Sequence, residues 1–294
     1  MLKYSQFLKN IYGEKVYKIP VNTGGTCPNR DGTKGVGGCI FCSEVGAGFE
    51  LLPETTDFLT QIEKNISYIR KKYKAERYLI YFQNFTATYL PLEQFDAYLK
   101  KVRLVDKVVG VCVSTRPDCL SGGHLDLLKQ LQQEGYDIFV ELGLQSANDE
   151  TLRKINRGHT VADYVSGAKT VKDYGFYLDT HLILNLPWDS NEDAVLAARL
   201  MNRVHTDSVK IHSLHIPYGT KLYELYQKNE IVVISKEEYF ERLYLFLKEL
   251  WPEIAVQRLF SRAPKEDTAF CNWQTGWWRL EEEFFSYQAQ MDKK

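Results

Sequence analysis

Apolar residues in this chain follow two periods in turn, a short run at every second position and then a longer one at every third or fourth, and the pair recurs from Glu14 onward. Val16–Val21 reads as a first strand. A helix is expected over 56–74, where Phe58, Ile62, Ile66 and Ile69 stand at helical spacing. The pattern then predicts strands at 78–82, 107–113, 137–142, 177–184 and 208–214. Helices are expected between them at 91–102, 121–134 and 161–174, the last two stopped by Gly135 and Gly175. A further helix opens at Ser190, where Asp193 completes a capping-box spacing.

Six strand-helix units in a row imply a parallel sheet with right-handed crossovers, either doubly wound or closed partly or fully into a barrel. In both cases ligands gather at the carboxyl ends of the strands. The connection between the first strand and its helix leaves that end, and it far exceeds the usual length of about 2–6 residues. Past Pro217 the composition changes, with a helix expected over 236–250 behind a Ser235/Glu238 cap, a strand near 254–260 and an aromatic tail. The division expected is 1–216, with the long loop at 22–50, and a C-terminal extension at 217–294.

That loop holds three of the six cysteines, Cys27, Cys39 and Cys42, and ends on Gly46-Ala47-Gly48. A Cys-x2-Cys pair on a tight turn aims two sulfurs the same way, and the glycines let the third cysteine return to them. Two metal readings follow. Structural zinc wants four ligands, for which Cys112, Cys119, Cys271 or His124 would complete the set. An iron–sulfur cubane on three cysteines keeps one iron open to something that is not protein.

Charge narrows the partners only slightly. Lys+Arg 37 against Asp+Glu 38 gives a net charge of -1, so any polyanion site must be a local patch. Hydrophobic residues at 44% suffice for a sizeable core. The N-terminus has no signal-peptide pattern and no apolar run approaches a membrane span, so a cytoplasmic protein without membrane contact is expected. In that compartment clustered cysteines read as metal ligands rather than disulfides, while Cys112 and Cys119 read as core thiols.

Polar residues recur where the strands end. Gln83-Asn84, Ser114 to Asp118, Glu141 with Gln145-Ser146, His181, His212 and His215 could all face one cavity, although each singly suits a satisfied strand-end group. Together with the cysteine spacing, Ser-Thr-Arg-Pro-Asp at 114–118, Glu-Leu-Gly-Leu-Gln-Ser at 141–146, Asn156-Arg157-Gly158-His159, the run from His181 to Pro187 and Gly219-Thr220 resemble a radical S-adenosylmethionine enzyme. The likeness is to the short bacterial branch akin to the elongator catalytic subunit. It implies an α/β fold, a partial (β/α)6 TIM-like barrel with a small C-terminal α+β extension.

The resemblance also implies a 4Fe-4S cluster on Cys27, Cys39 and Cys42, and S-adenosyl-L-methionine cleaved reductively to a 5′-deoxyadenosyl radical. By the same likeness Phe41 lies against the adenine, Ser114, Gln145 and His181 face the ribose, and Arg157 forks onto the methionine carboxylate. The family's glycine-rich turn for the methionine amino group is replaced here by Gln83-Asn84-Phe85, and Asn185 stands where a glycine often precedes Leu-Pro.

Relatives of this branch act on the wobble uridine of transfer RNA. The chain ends at Lys294 without a counterpart of the acetyltransferase domain, so a single radical step on an already C5-substituted uridine is expected, such as remodelling a carboxymethylaminomethyl group. The partners implied are transfer RNA, a one-electron donor such as flavodoxin or ferredoxin, and a downstream methyltransferase. Five cations in Arg70 to Arg77, and Arg258, Arg262 and Lys265 near Trp273, Trp277 and Trp278, offer RNA contacts if they share the barrel's mouth. The alternatives are a radical enzyme acting on a small molecule or protein, and a zinc-stabilised RNA-binding module.

Overall fold

The computed structural model describes residues 1–43 and 51–293; Gly46, Ala47 and Gly48 of the expected cluster loop lie outside them. In chain order the elements are β1 Leu2–Lys3, α1 Tyr4–Tyr12, β2 Val16–Val21, α2 Phe58–Tyr73, β3 Arg77–Phe82, α3 Leu92–Val102, β4 Val108–Thr115, α4 Gly122–Gln133 and β5 Asp137–Gln145. There follow α5 Asp149–Lys154, α6 Val161–Asp173, β6 Tyr177–Ile183, α7 Asn191–Arg203, β7 Ser208–His212, β8 His215–Pro217 and α8 Lys221–Gln227. The last are α9 Lys236–Glu249, β9 Ala255–Arg258, β10 Thr268–Cys271 and α10 Trp277–Met291.

Eight strands form one parallel sheet in the order β1-β9-β7-β6-β5-β4-β3-β2, curled into a half-barrel whose two edges are β1 and β2. The six strands read from the sequence are β2 to β7, which run without interruption from the β2 edge. The caps at Ser190/Asp193 and Ser235/Glu238 form with both bonds in place, which holds the first turns of α7 and α9. The strand expected near 254–260 forms as β9, whereas β1 and β10 were not read from the sequence. β9 slots between β7 and β1, so the C-terminal stretch completes the sheet, and β10 pairs antiparallel with β8 beside it.

Alternation along the strands divides the core in two. Ile19, Ile80, Val111, Val140, Leu178 and Val209 face the surrounding helices. On the inner face Val16, Leu79, Cys112 and Phe139 sit near the amino ends of their strands, against Tyr4 and Leu8 of α1. That helix therefore plugs the bottom of the half-barrel, and the inner positions nearer the carboxyl ends are left for polar side chains. No helix of the described residues is long and apolar enough to cross a membrane.

Candidate active site at the carboxyl ends of the strands

The cysteine loop is held by its own asparagine. Arg30 N–H closes a turn on the Cys27 carbonyl at 2.8 Å, and Cys42 N–H one on Cys39 at 2.9 Å. The Asn29 amide donates to the Asn156 carbonyl while Asn156 Nδ2 donates to the Gly38 carbonyl at 2.8 Å, tying the loop to the α5–α6 link. Ile40 is pinned from both sides, its N–H on the Ile155 carbonyl at 3.1 Å and its carbonyl on the Leu222 N–H at 2.9 Å.

Cys27, Cys39 and Cys42 all open onto one cavity of about 350 Å³. Phe41, Gln83, Ser114, Gln145, Arg157 and His181 line the same cavity. Asn84 does not; it is buried, and its Nδ2 donates to Asn22 Oδ1 at 3.2 Å. Two irregularities do the aiming. A register shift between Gly143 and Gln145 leaves Gln145 at φ 81, at the lip of β5. Another, between β7 and β9, turns both Gln257 and Arg258 inward. Gly143 lines the cavity too, and a Cβ there would stand 2.7 Å from Arg157 Nη2, which donates to the Gly143 carbonyl at 2.6 Å.

Beneath the cavity Glu141, 0% exposed, gathers donors from four strands. His181 Nε2 and the Tyr81 hydroxyl each donate to it at 2.6 Å, Lys210 Nζ at 3.2 Å, and Lys18 completes the set. Lys18 also reaches Asp179 at 3.3 Å and Gln257 at 3.1 Å, joining the β2 edge to β9 across the lumen. Burial alone would raise the Glu141 pKa, but Lys18, Lys210 and His181 hold it well below the usual range. Burial and then Lys210 push His181 down to about 4, so a neutral imidazole donates to the carboxylate. Burial lowers Lys210 to about 8 against the opposing pull of Glu141.

Among the described residues the one trio of metal-binding atoms within 4.8 Å of one another is Cys112, Glu141 and Asp179. That trio includes none of Cys27, Cys39 and Cys42. Lys18 bonds both carboxylates of the Cys112 trio, which makes that group an ion-pair network. An orphaned donor, the buried Nε of Arg157, points to a polar group still to be received in the cavity.

Sequence reasoning missed Lys18, Tyr81 and Lys210, although each is a polar residue inside an otherwise apolar strand run. The condition set for one cationic patch, that it share the barrel's mouth, is not met. Arg70 to Arg77 joins the end of α2 to the start of β3, so it lies at the amino ends of the strands, away from the cysteines. There Arg70 pairs with Glu76 at 3.0 Å and Arg77 with Glu14 at 2.9 Å. Arg258 and Arg262 do line the cavity, and the Arg262 guanidinium stacks 4.0 Å from the Trp277 ring centroid, beside Trp278, 61% exposed.

A half-barrel of parallel strands with a three-cysteine loop at its open end defines a class, and the sequence comparisons agree with it: residues 21–201 match the Radical SAM superfamily and 206–287 the Radical_SAM C-terminal domain, so the chain belongs to that superfamily. It is 33% identical over 273 residues to "Uncharacterized protein YtqA" of Bacillus subtilis, covering 93% of this chain and 84% of that protein. It is 29% identical over 153 residues to a tRNA uridine(34) acetyltransferase of Methanocaldococcus infernus, covering 50% of this chain and 27% of that protein. Among solved structures, the archaeal Methanocaldococcus infernus Elp3 with an N-terminal deletion superposes with a TM-score of 0.70 at 20% identity. That likeness covers 95% of this chain, which spans only 64% of the Elp3 chain, and it shows the fold alone.

Proposed function

We propose that the chain holds a 4Fe-4S cluster on Cys27, Cys39 and Cys42, cleaves S-adenosylmethionine reductively, and modifies a C5-substituted wobble uridine in transfer RNA. The observation that carries this reading is the convergence of three cysteines on one cavity. Once bound, the cluster would supply the electron for that cleavage, through the iron that no cysteine holds.

The chain's own residues then bind and orient. Arg157, buried and with Nε unpartnered, offers a donor for the methionine carboxylate. Ser114, Gln145 and His181, at the ends of β4, β5 and β6, offer polar contacts for a ribose, and Phe41 a ring face for an adenine. Glu141 holds the His181 ring in its donor orientation. The packed plug of α1 closes the lumen below, which keeps the reacting centre from opening to water on that side.

Transfer RNA is supported by the uridine(34) acetyltransferase relative and by the Arg262–Trp277–Trp278 group at the cavity's rim, where cations and rings suit backbone neutralisation and base stacking. The reading includes a cytoplasmic setting, a flavodoxin- or ferredoxin-type electron donor and a methyltransferase acting afterwards. Transfer RNA from cells lacking the gene should lose one wobble-uridine derivative and accumulate its precursor, and the purified chain should restore it with S-adenosylmethionine and a reductant. An unchanged nucleoside profile, with 5′-deoxyadenosine still formed by the purified protein, sinks the RNA assignment and leaves radical chemistry on another substrate.

A further inference from the structure

Each of the three cavity cysteines has a guanidinium beside its sulfur. Arg30 Nη1 lies 3.6 Å from Cys42 Sγ, Arg116 Nη1 3.9 Å from Cys27 Sγ, and Arg157 Nη1 3.5 Å from Cys39 Sγ. The three arginines come from separate places: the cysteine loop, the turn after β4, and the link between α5 and α6.

None of them swings freely. Arg30 donates to the Ser43 carbonyl at 2.8 Å and lies 5.0 Å from the Phe85 ring centroid. Arg116 forks onto Asp118 at 2.9 and 3.0 Å and donates to the Arg157 carbonyl at 2.8 Å. Arg157 is anchored on the Gly143 carbonyl. Arg116 and Arg157 are only 2% and 7% exposed, and burying a cation is costly without an anion near it. Among the described residues only Arg116 of the three has a carboxylate partner, Asp118. Among the described residues, the groups beside Arg30 and Arg157 that become anionic on binding iron are the sulfurs of Cys42 and Cys39.

We propose that Arg30, Arg116 and Arg157 surround the cluster, one guanidinium to each cysteine thiolate, and raise its reduction potential. This rests on the cluster reading above. Taking up one electron from a one-electron protein donor adds negative charge to the cluster and its sulfurs, with no bond made or broken. A positive charge and an N–H···S contact at each thiolate stabilise that reduced state more than the oxidised one. The arrangement thereby brings the cluster within reach of a milder donor.

The test is a redox titration of the anaerobically reconstituted protein without S-adenosylmethionine, followed by electron paramagnetic resonance. Arg30→Gln is expected to move the midpoint to more negative potential at unchanged iron and sulfide per chain, with Arg116→Gln moving it the same way. Arg30→Lys should recover part of the shift, because it keeps the charge but loses the planar fork. If Arg30→Gln holds no iron, Arg30→Lys decides, since its midpoint must still fall below that of the wild type. Midpoints that coincide with the wild type while the cluster is intact reduce the arginines to loop packing and overturn the inference alone. A wild-type chain that takes up no iron overturns the cluster reading and this inference with it.

Discussion

His181 Nε2 donates to Glu141 Oε2 at 2.6 Å, across the neighbouring strands β6 and β5 and beneath the cavity that holds the three cysteines. Burial keeps the ring neutral although Glu141 favours its charged form, and a pH dependence of stability follows. Folded His181 is held down at about 4 by burial and Lys210, whereas an unfolded histidine titrates near about 6.5. Between those values the unfolded chain binds a proton that the folded chain refuses. Stability therefore falls as pH drops through this window, by up to about 1.4 kcal/mol per pH unit from this residue. Burial and Arg258 put His215 at about 4 as well, which adds to the trend. Denaturant midpoints at pH 5 should lie below those at pH 7, and His181→Gln should narrow the gap. An unchanged gap removes His181 from the account.

Glu141 is the anion on which Lys18 and Lys210 depend. Glu141→Gln leaves two buried ammonium groups short of a partner and should destabilise the fold by roughly 3–5 kcal/mol, the usual cost of breaking a buried pair. Its folded pKa is depressed, so its contribution is present above the unfolded carboxylate pKa and is lost as pH falls below it. A double variant with Lys18→Met should recover part of the loss in urea unfolding. No recovery would mean that the network is not held by this pair.

Replacing Cys27, Cys39 and Cys42 together by alanine should abolish iron uptake and the brown colour after anaerobic reconstitution, with the far-ultraviolet circular dichroism kept, because the sheet does not hang on the loop. Stoichiometric zinc without iron in the wild type would return the site to the structural-zinc reading.

Arg157→Ala should weaken S-adenosylmethionine binding at least tenfold per cluster-loaded chain, the loss of about 1.4 kcal/mol or more expected for a buried charge-assisted hydrogen bond. Lys72→Ala should leave it unchanged, since Lys72 is exposed at the opposite end of the barrel beside Tyr68. Equal affinities in the two variants would show that the carboxylate is held elsewhere.

RNA binding should respond to the rim and not to the far pole. Arg262→Ala with Trp278→Ala should weaken transfer RNA binding and lower its salt slope by about one unit for each phosphate that Arg262 no longer neutralises. Charge reversal at Lys71, Lys72 and Lys74 should change neither. The opposite result, in a gel-shift series over salt, would place the RNA at the amino ends of the strands.

The sequence alone determined strands β2 to β7 and their helices, the caps at Ser190 and Ser235, and the position of three cysteines at the carboxyl end of β2, because each of these depends on residues within a few positions of one another. The helix α1 was not read from the sequence, although Tyr4, Phe7, Leu8 and Ile11 stand at helical spacing, and a periodic stretch does not say that it will plug a barrel. What only the tertiary structure decided depends on register and curl. β1 is two residues long and exists only because β9 lies beside it. A shift of one residue chose Gln145 for the cavity, and a turn took Asn84 out of it. The crossover rule set the cationic end of α2 at the pole away from the cysteines. Arg30, Arg116 and Arg157 are far apart in the chain and reach three sulfurs because three separate turns close on the same loop. Glu141 is one acidic residue in an apolar strand, and its four donors come from strands that adjoin or face it only after the sheet has curled.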